Sequence, residues 1–273
     1  MYNKALFEIF GRGVYPYGIC IGLGLIACIL VLYYFTKKKG MPECLQDFIF
    51  IVAIVAVALG FLSAKLFQAF YDYLARGEWD FAGAGITVMG GLIGGAAAFL
   101  LAYFLGGRFY FRGNKKGLHI REFNTLLLVA PICITIAHAF GRVGCLMAGC
   151  CHGKYLGKNY VSGGIKMHPN GEPSGYYVPT QLYEALFLFA LFGVLTYLYF
   201  HRCNILLHIY LIAYGVWRFI IEFFRTDYVG GSAEAFFRPS QVTSFVFIGI
   251  GVALLIIYRI LKIPYILREE QNK

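Results

Sequence analysis

Apolar residues run through this chain in blocks closed by short polar breaks. Seven blocks stand out: Val14 to Phe35, Leu45 to Tyr71, Gly85 to Leu105, Phe123 to Phe140, Gln181 to Phe200, Ile205 to Phe224 and Gln241 to Leu261. About 20 mainly apolar residues suffice to cross hydrocarbon as a helix. Backbone polar groups there must be satisfied within the segment, and the blocks lack the alternation of an outer-membrane barrel strand. The pattern predicts an all-α, polytopic membrane protein of about seven transmembrane helices. One larger polar excursion, Cys151 to Thr180, is rich in Gly, Lys, Asn and Pro and reads as a small extracytoplasmic loop or cap.

Composition agrees: of 273 residues, 59% are hydrophobic and 14% charged, and the mean hydropathy is +0.67. A water-soluble core of this length could not hide so much apolar surface. No repeat or long linker divides the chain, so residues 1–273 are expected to form a single transmembrane domain. The first apolar block is long and is followed by Lys37, Lys38 and Lys39 rather than a small-residue cleavage site, so it is expected to be retained.

The formal charge is +10, but the basic residues are split among loops. Nucleic-acid binding is therefore not expected, since that needs a gathered patch. Lys37 to Lys39, Arg108, Arg112, Lys115, Lys116, Arg121, Arg202, Arg259, Lys262, Arg268 and Lys273 fall on one side of the predicted topology. Fewer, namely Lys4, Arg12, Arg76, Arg142, Lys154, Lys158, Lys166, Arg225 and Arg238, fall on the other. By the positive-inside rule the N-terminus is expected outside and the C-terminus inside.

Against this background, polar groups inside the spans carry the chemistry. Tyr214, Arg218, Glu222 and Arg225 in the sixth span are spaced by four, four and three, a single helical stripe. Arg218 and Glu222 can pair at i, i+4, whereas Arg225 is expected to lack an intrahelical partner. A buried ion pair that only sets helix packing is the plainer reading. Two arginines beside one carboxylate instead invite an anion. Arg142 lies between Gly141 and Gly144 in GRVG, where small neighbours admit a ligand or another backbone; alone it also fits an arginine snorkelling to headgroups. Together, three guanidinium groups suggest a phosphate clamp for an anionic phospholipid. Elsewhere, Gly90, Gly91, Gly94 and Gly95 give two GxxxG spacings that favour a close helix crossing. PTQLYE, Pro179 to Glu184, reads as a helix entrance whose Gln181, Tyr183 and Glu184 could line a cavity.

Taken in order, Tyr17-Gly18, GGLIG at 90–94, GRVG at 141–144, PTQLYE at 179–184, YGVWRFIIEFFR at 214–225 and SQVTS at 240–244 resemble the prolipoprotein diacylglyceryl transferase family. The resemblance implies a seven-helix enzyme of the bacterial cytoplasmic membrane. Such an enzyme moves diacylglyceryl from phosphatidylglycerol to the lipobox cysteine of a preprolipoprotein, forms a thioether and releases glycerol phosphate. It matches Arg142 to the family's GRxG arginine and Tyr214, Arg218 and Glu222 to its sixth-span motif. Taken with the residues' own chemistry, Arg142, Arg218, Glu222 and His138 are the candidate catalytic residues, and Tyr17, Gly90, Gly91, Gly141, Gly144, Gln181, Tyr183, Glu184, Tyr214 and Arg225 the candidate substrate-binding ones. Two departures are visible. Where the family commonly reads GRIGNFINGE, this chain has GRVGCLMAGCC, with Cys145, Ala148 and Cys150 at the altered positions. Where the family has a histidine before GGLIG, often assigned to proton abstraction, this chain has Met89, which cannot act as a base.

His138, four residues before Arg142, is the leading candidate for that base, and His152 the second. Cys145, Cys150 and Cys151 admit a disulfide, a reactive thiol or packing around a thiol channel. They do not have zinc-finger spacing and no CxxC is present, so no metal and no other cofactor is expected. Cys20, Cys28, Cys44, Cys133 and Cys203 are assigned to packing. The expected partners are phosphatidylglycerol or a similar anionic phospholipid, a lipobox segment and membrane lipids. Alternatives are a related lipid transferase with another nucleophile or acceptor, and a non-enzymatic lipid-binding or transport protein.

Overall fold

The structure, a computed structural model, describes residues 6–9, 12–77, 79, 81, 88–159, 161–169, 172–225 and 239–261. The start of the predicted third span at Gly85, and the basic residues Lys4, Arg238, Lys262, Arg268 and Lys273, lie outside these. A hairpin of β1 (Phe7–Ile9) and β2 (Arg12–Val14) precedes helix α1 (Pro16–Lys38). Val14, expected in the first span, instead closes the hairpin, and Pro16 starts the helix, a position that needs no backbone N–H. Then come α2 (Glu43–Arg76) and α3 (Val88–Leu101), the latter extended by a wide turn over Ala102–Gly106 into α4 (Gly107–Tyr110). A short α5 (Leu118–Arg121) leads to α6 (Phe123–Ala148). Strands β3 (Tyr155–Gly157), β4 (Ile165–Met167) and β5 (Gly175–Tyr177) precede α7 (Thr180–Phe200), α8 (Leu206–Ile221) and α9 (Pro239–Ile260). Among the described residues, seven helices are long and apolar enough to cross a membrane.

The described residues fall into two compact units, one of residues 1–32 with 127–273, the other of residues 33–126. In the second, α2 and α3 cross closely. A Cβ on Gly90 would lie 2.5 Å from Phe67 Cβ, and one on Gly60 3.2 Å from the Gly91 carbonyl oxygen. Ser63 Oγ donates to the Gly90 carbonyl at 2.9 Å. The GxxxG spacing thus acts as expected, letting two backbones meet where side chains would hold them apart. Near the other end of α3, Tyr103 is fully buried, stacks on Phe99 and donates its hydroxyl to the His119 carbonyl at 2.6 Å. Burial holds the His119 imidazole, outside the spans, below its ordinary pKa.

In the first unit, α8 packs along α9. A Cβ on Gly251 would come within 2.7 Å of Ile212 Cγ1, and Ser244 of SQVTS turns its hydroxyl back onto the Ser240 carbonyl. The polar excursion is a three-stranded antiparallel sheet in the order β3-β5-β4. It is tied to the end of the sixth span by a backbone bridge between Gly153 and Arg225 and by Lys154 N–H donating to the Phe224 carbonyl at 3.3 Å.

Candidate active site

The sixth span does not stay helical to its end. Regular helix stops at Ile221, Glu222–Phe224 tighten into a 3₁₀ turn, and Arg225 is extended at φ −90°, ψ 141°. The expected continuous stripe therefore holds for Tyr214, Arg218 and Glu222 and fails at Arg225, whose backbone pairs with Gly153. The expectation that Arg225 lacks a partner within its own segment is also overturned, because its Nε lies 4.0 Å from Glu222 Oε2. Tightening the last turn brings position i+3 over Glu222 where an α-helix would have placed i+4.

The largest revision concerns Glu184. The sequence places it at a helix entrance as a residue that could line a cavity and bind substrate; in the structure it is the centre of the cluster. Pro179 precedes the first turn of α7, and Glu184 sits one turn further in, 1% exposed. Its Oε2 is 3.0 Å from Arg142 Nε on α6 and 3.7 Å from Arg218 Nη1 on α8. Its Oε1 accepts a hydrogen bond from the Tyr214 hydroxyl at 3.1 Å and lies 3.9 Å from His138 Nε2. Arg218 Nη2 is meanwhile 3.1 Å from Glu222 Oε2. One carboxylate thus gathers two guanidinium groups and a phenol from two other helices. A lone carboxylate in an apolar helix is strongly disfavoured, and pairing with two cations offsets that penalty. The signal was present in the sequence: Glu184 is the only charged residue between Thr180 and Phe200.

Among the described residues, three guanidinium groups face two carboxylates here. The contacts of Arg142 Nε and Arg218 Nη1 with Glu184 are ionic and lack hydrogen-bond geometry. Those guanidiniums are placed by Glu184 without being saturated by it, a state suited to receiving an anion.

The other expected site residues divide. His138 lies beside the cluster, its ring edge-on to Tyr214 at 5.1 Å. Gly144 is filled by α1, since a Cβ there would lie 3.2 Å from the Tyr17 ring and 3.3 Å from Cys20 Cβ. A Cβ on Gly141 would meet open space. Tyr17 is 39% and Tyr183 38% exposed. Gln181 is fully buried, with Nε2 donating to the Cys150 carbonyl at 2.6 Å, so it anchors the chain after α6. Gly90 and Gly91 lie in the α2–α3 crossing of the other unit. His152, the second candidate base, is buried beneath the sheet: Nδ1 contacts the Gly153 carbonyl at 3.1 Å, Nε2 the Glu172 carboxylate at 3.5 Å, and the ring packs on Tyr177. Both its nitrogens are thereby directed into the cap. Cys145, Cys150 and Cys151, separated by a helix end, come together with their sulfurs within 4.8 Å of one another.

Seven apolar helices among the described residues, three of which bring together a buried arginine–glutamate cluster, mark a multi-pass membrane protein. The family model for prolipoprotein diacylglyceryl transferase matches residues 4–257, and the chain belongs to that family. Among curated relatives it is 32% identical to the phosphatidylglycerol–prolipoprotein diacylglyceryl transferase of Clostridium tetani, over 92% of this chain and 95% of that one. It is 31% identical to the second such transferase of Clostridium perfringens, over 90% and 92%. It is 33% identical to the transferase of that name from Streptococcus pneumoniae, over 94% of each.

Proposed function

We propose that this protein transfers the diacylglyceryl group of phosphatidylglycerol, or a similar anionic phospholipid, to the lipobox cysteine thiol of preprolipoproteins. Thioether formation needs three things: a thiolate, a carbon bearing a phosphate leaving group, and stabilisation of the charge left on the departing oxygen. The observation that supports this reading is the convergence of Arg142 and Arg218 from separate helices on Glu184. In this mechanism the two arginines, with Arg225 nearby, bind the phosphodiester. As the carbon–oxygen bond breaks, they meet the second negative charge on the released glycerol phosphate. Glu184 fixes both guanidiniums, Glu222 orients Arg218 and Arg225, and Tyr214 fixes the Glu184 carboxylate. His138 takes the thiol proton. The protein lies in the bacterial cytoplasmic membrane with its N-terminus outside, so that Cys151 to Thr180 covers the site on the exterior side and the acceptor reaches it there.

The test is an incubation of the purified, detergent-solubilised protein with labelled phosphatidylglycerol and a lipobox peptide. A peptide mass gain of one diacylglyceryl group is expected. Lipid turnover without peptide modification would replace the acceptor in this reading, and lipid binding without any covalent change would refute the enzymatic one. His138→Gln is expected to lower the rate and alter the pH–rate profile; an unchanged profile would transfer the base role elsewhere.

A further inference from the structure

The three cysteines of the GRVGCLMAGCC segment are brought together by local backbone geometry. Cys145 lies in the last turn of α6, and Gly149 reverses the chain at φ +74°. Cys150 N–H then donates to the Cys145 carbonyl at 3.2 Å. Cys151 adopts φ +60°, a left-handed conformation uncommon outside glycine and one that persists only where the surroundings impose it. Those surroundings are the entrance of α7: Gln181 Nε2 holds the Cys150 carbonyl at 2.6 Å, and Thr180 Oγ1 holds the Cys151 carbonyl at 2.8 Å. The result is three sulfurs within 4.8 Å of one another, with Cys150 exposed and the other two partly so.

We propose that Cys145, Cys150 and Cys151 form a three-thiolate site for a zinc-class soft divalent cation whose fourth position receives the acceptor thiol. Tetrahedral zinc with sulfur at about 2.3 Å sets its ligands about 3.8 Å apart, so the sulfurs need draw in by no more than about 1 Å. Thiolate donors select soft cations such as zinc. Three protein ligands are the number found where zinc does chemistry, whereas structural sites close with four. The nearest histidine in sequence does not supply the fourth, since His152 faces Gly153 and Glu172. Three thiolates around a divalent cation carry net negative charge, and Arg142, one helical turn before Cys145, acts electrostatically on both Cys145 and Cys151. The metal position thus follows Arg142 by one helical turn.

This inference rests on the transferase reading and supplies what Met89 removes from it. A thiol that coordinates zinc gives up its proton, so activation of the acceptor does not require a side-chain base at that position. The acceptor S–H proton passes to His138 and on to water, and the sulfur so activated donates an electron pair to the glyceryl carbon. A carbon–sulfur bond forms as the carbon–oxygen bond breaks, and the electron pair leaves on the phosphate oxygen toward Arg142 and Arg218. Nothing is oxidised or reduced.

The test uses the full chain in detergent, reduced, stripped with a chelator and titrated with zinc alone and with cobalt(II) alone. About one metal per chain is expected, with a sulfur-to-cobalt charge-transfer band, and affinity weakened more than about tenfold in each of Cys145→Ser, Cys150→Ser and Cys151→Ser. A lipobox peptide should intensify the wild-type cobalt band, and its cysteine-to-serine version should not; this comparison needs no variant of the protein. Failure of the reduced wild type to bind stoichiometrically, binding unaffected by the substitutions, or a cobalt band indifferent to the peptide thiol would overturn the proposal. So would a Cys145–Cys150 or Cys145–Cys151 disulfide that persists in active protein. Transfer that survives chelation and all three substitutions would sink the metal site and leave the transferase reading standing. Metal binding with a peptide-thiol response but no lipid transfer would do the reverse.

Discussion

At the α2–α3 crossing, Gly60, Gly90 and Gly94 let two helices meet through bare backbone, with Ser63 closing one hydrogen bond across the gap. Around Glu184, three helices meet instead through charge, each contributing a polar side chain to one carboxylate or its partners. Between helices in lipid the hydrophobic effect is weak, so association relies on close van der Waals packing and polar contacts. The crossing uses the first and needs no reactive group. The cluster uses the second and, among the described residues, sets three guanidiniums against two carboxylates. The comparison teaches that helices in lipid can be joined by bare backbone or by buried charge, and that only the second leaves groups able to meet an anion.

The two regions should therefore respond differently to substitution. The largest effect is expected for Glu184→Gln, which takes from Arg142 its carboxylate and leaves Arg218 with Glu222 alone. Breaking a buried ionic cluster this way costs about 3–5 kcal/mol. Detergent-solubilised yield, thermal unfolding and transfer should all collapse, and a near-normal melting curve would show that Glu184 is not the anchor. Next, Arg142→Ala and Arg218→Ala should each lower transfer by about 10²–10³-fold, the loss typical of one charge-stabilising group in a reaction site. Normal turnover in either, in folded protein, would refute the phosphate assignment.

Tyr214→Phe removes one hydrogen bond to a carboxylate, worth about 1.5–3 kcal/mol. It should reduce transfer more than it lowers the unfolding temperature; the opposite ranking would recast Tyr214 as a packing residue. Gly94→Ala places a methyl group against Ser63, and overpacking of this kind costs about 1–3 kcal/mol. That loss should be seen in thermal unfolding with little change in the rate per folded molecule. A rate loss without a stability loss would erase the distinction between the two regions. The smallest effect is expected for Tyr103→Phe, which deletes the hydroxyl bond to the His119 carbonyl. One neutral hydrogen bond contributes about 1 kcal/mol, to be read by unfolding alone.

The spans, the GxxxG crossing and the alignment of Tyr214, Arg218 and Glu222 were legible in the sequence because each depends on a fixed helical period and on what hydrocarbon excludes. Arg225 was misread because the period itself changes: a 3₁₀ turn replaces α-helix after Ile221, and no residue type there announces it. The contact of His152 with Glu172 was not legible, because Glu172 belongs to a cap whose strand pairing spacing does not reveal.

What the chain determined by itself is the set of helices, their entrances and the charges each carries into the membrane, since these follow from local hydropathy and backbone hydrogen bonding. What only the tertiary structure decided is which charges meet: that Glu184 of α7 receives Arg142 of α6 and Arg218 of α8, and that three cysteines straddling a helix end share one point in space. Such convergence depends on distances between segments far apart in the chain, and those are fixed by packing the whole unit rather than by the periodicity of any one helix.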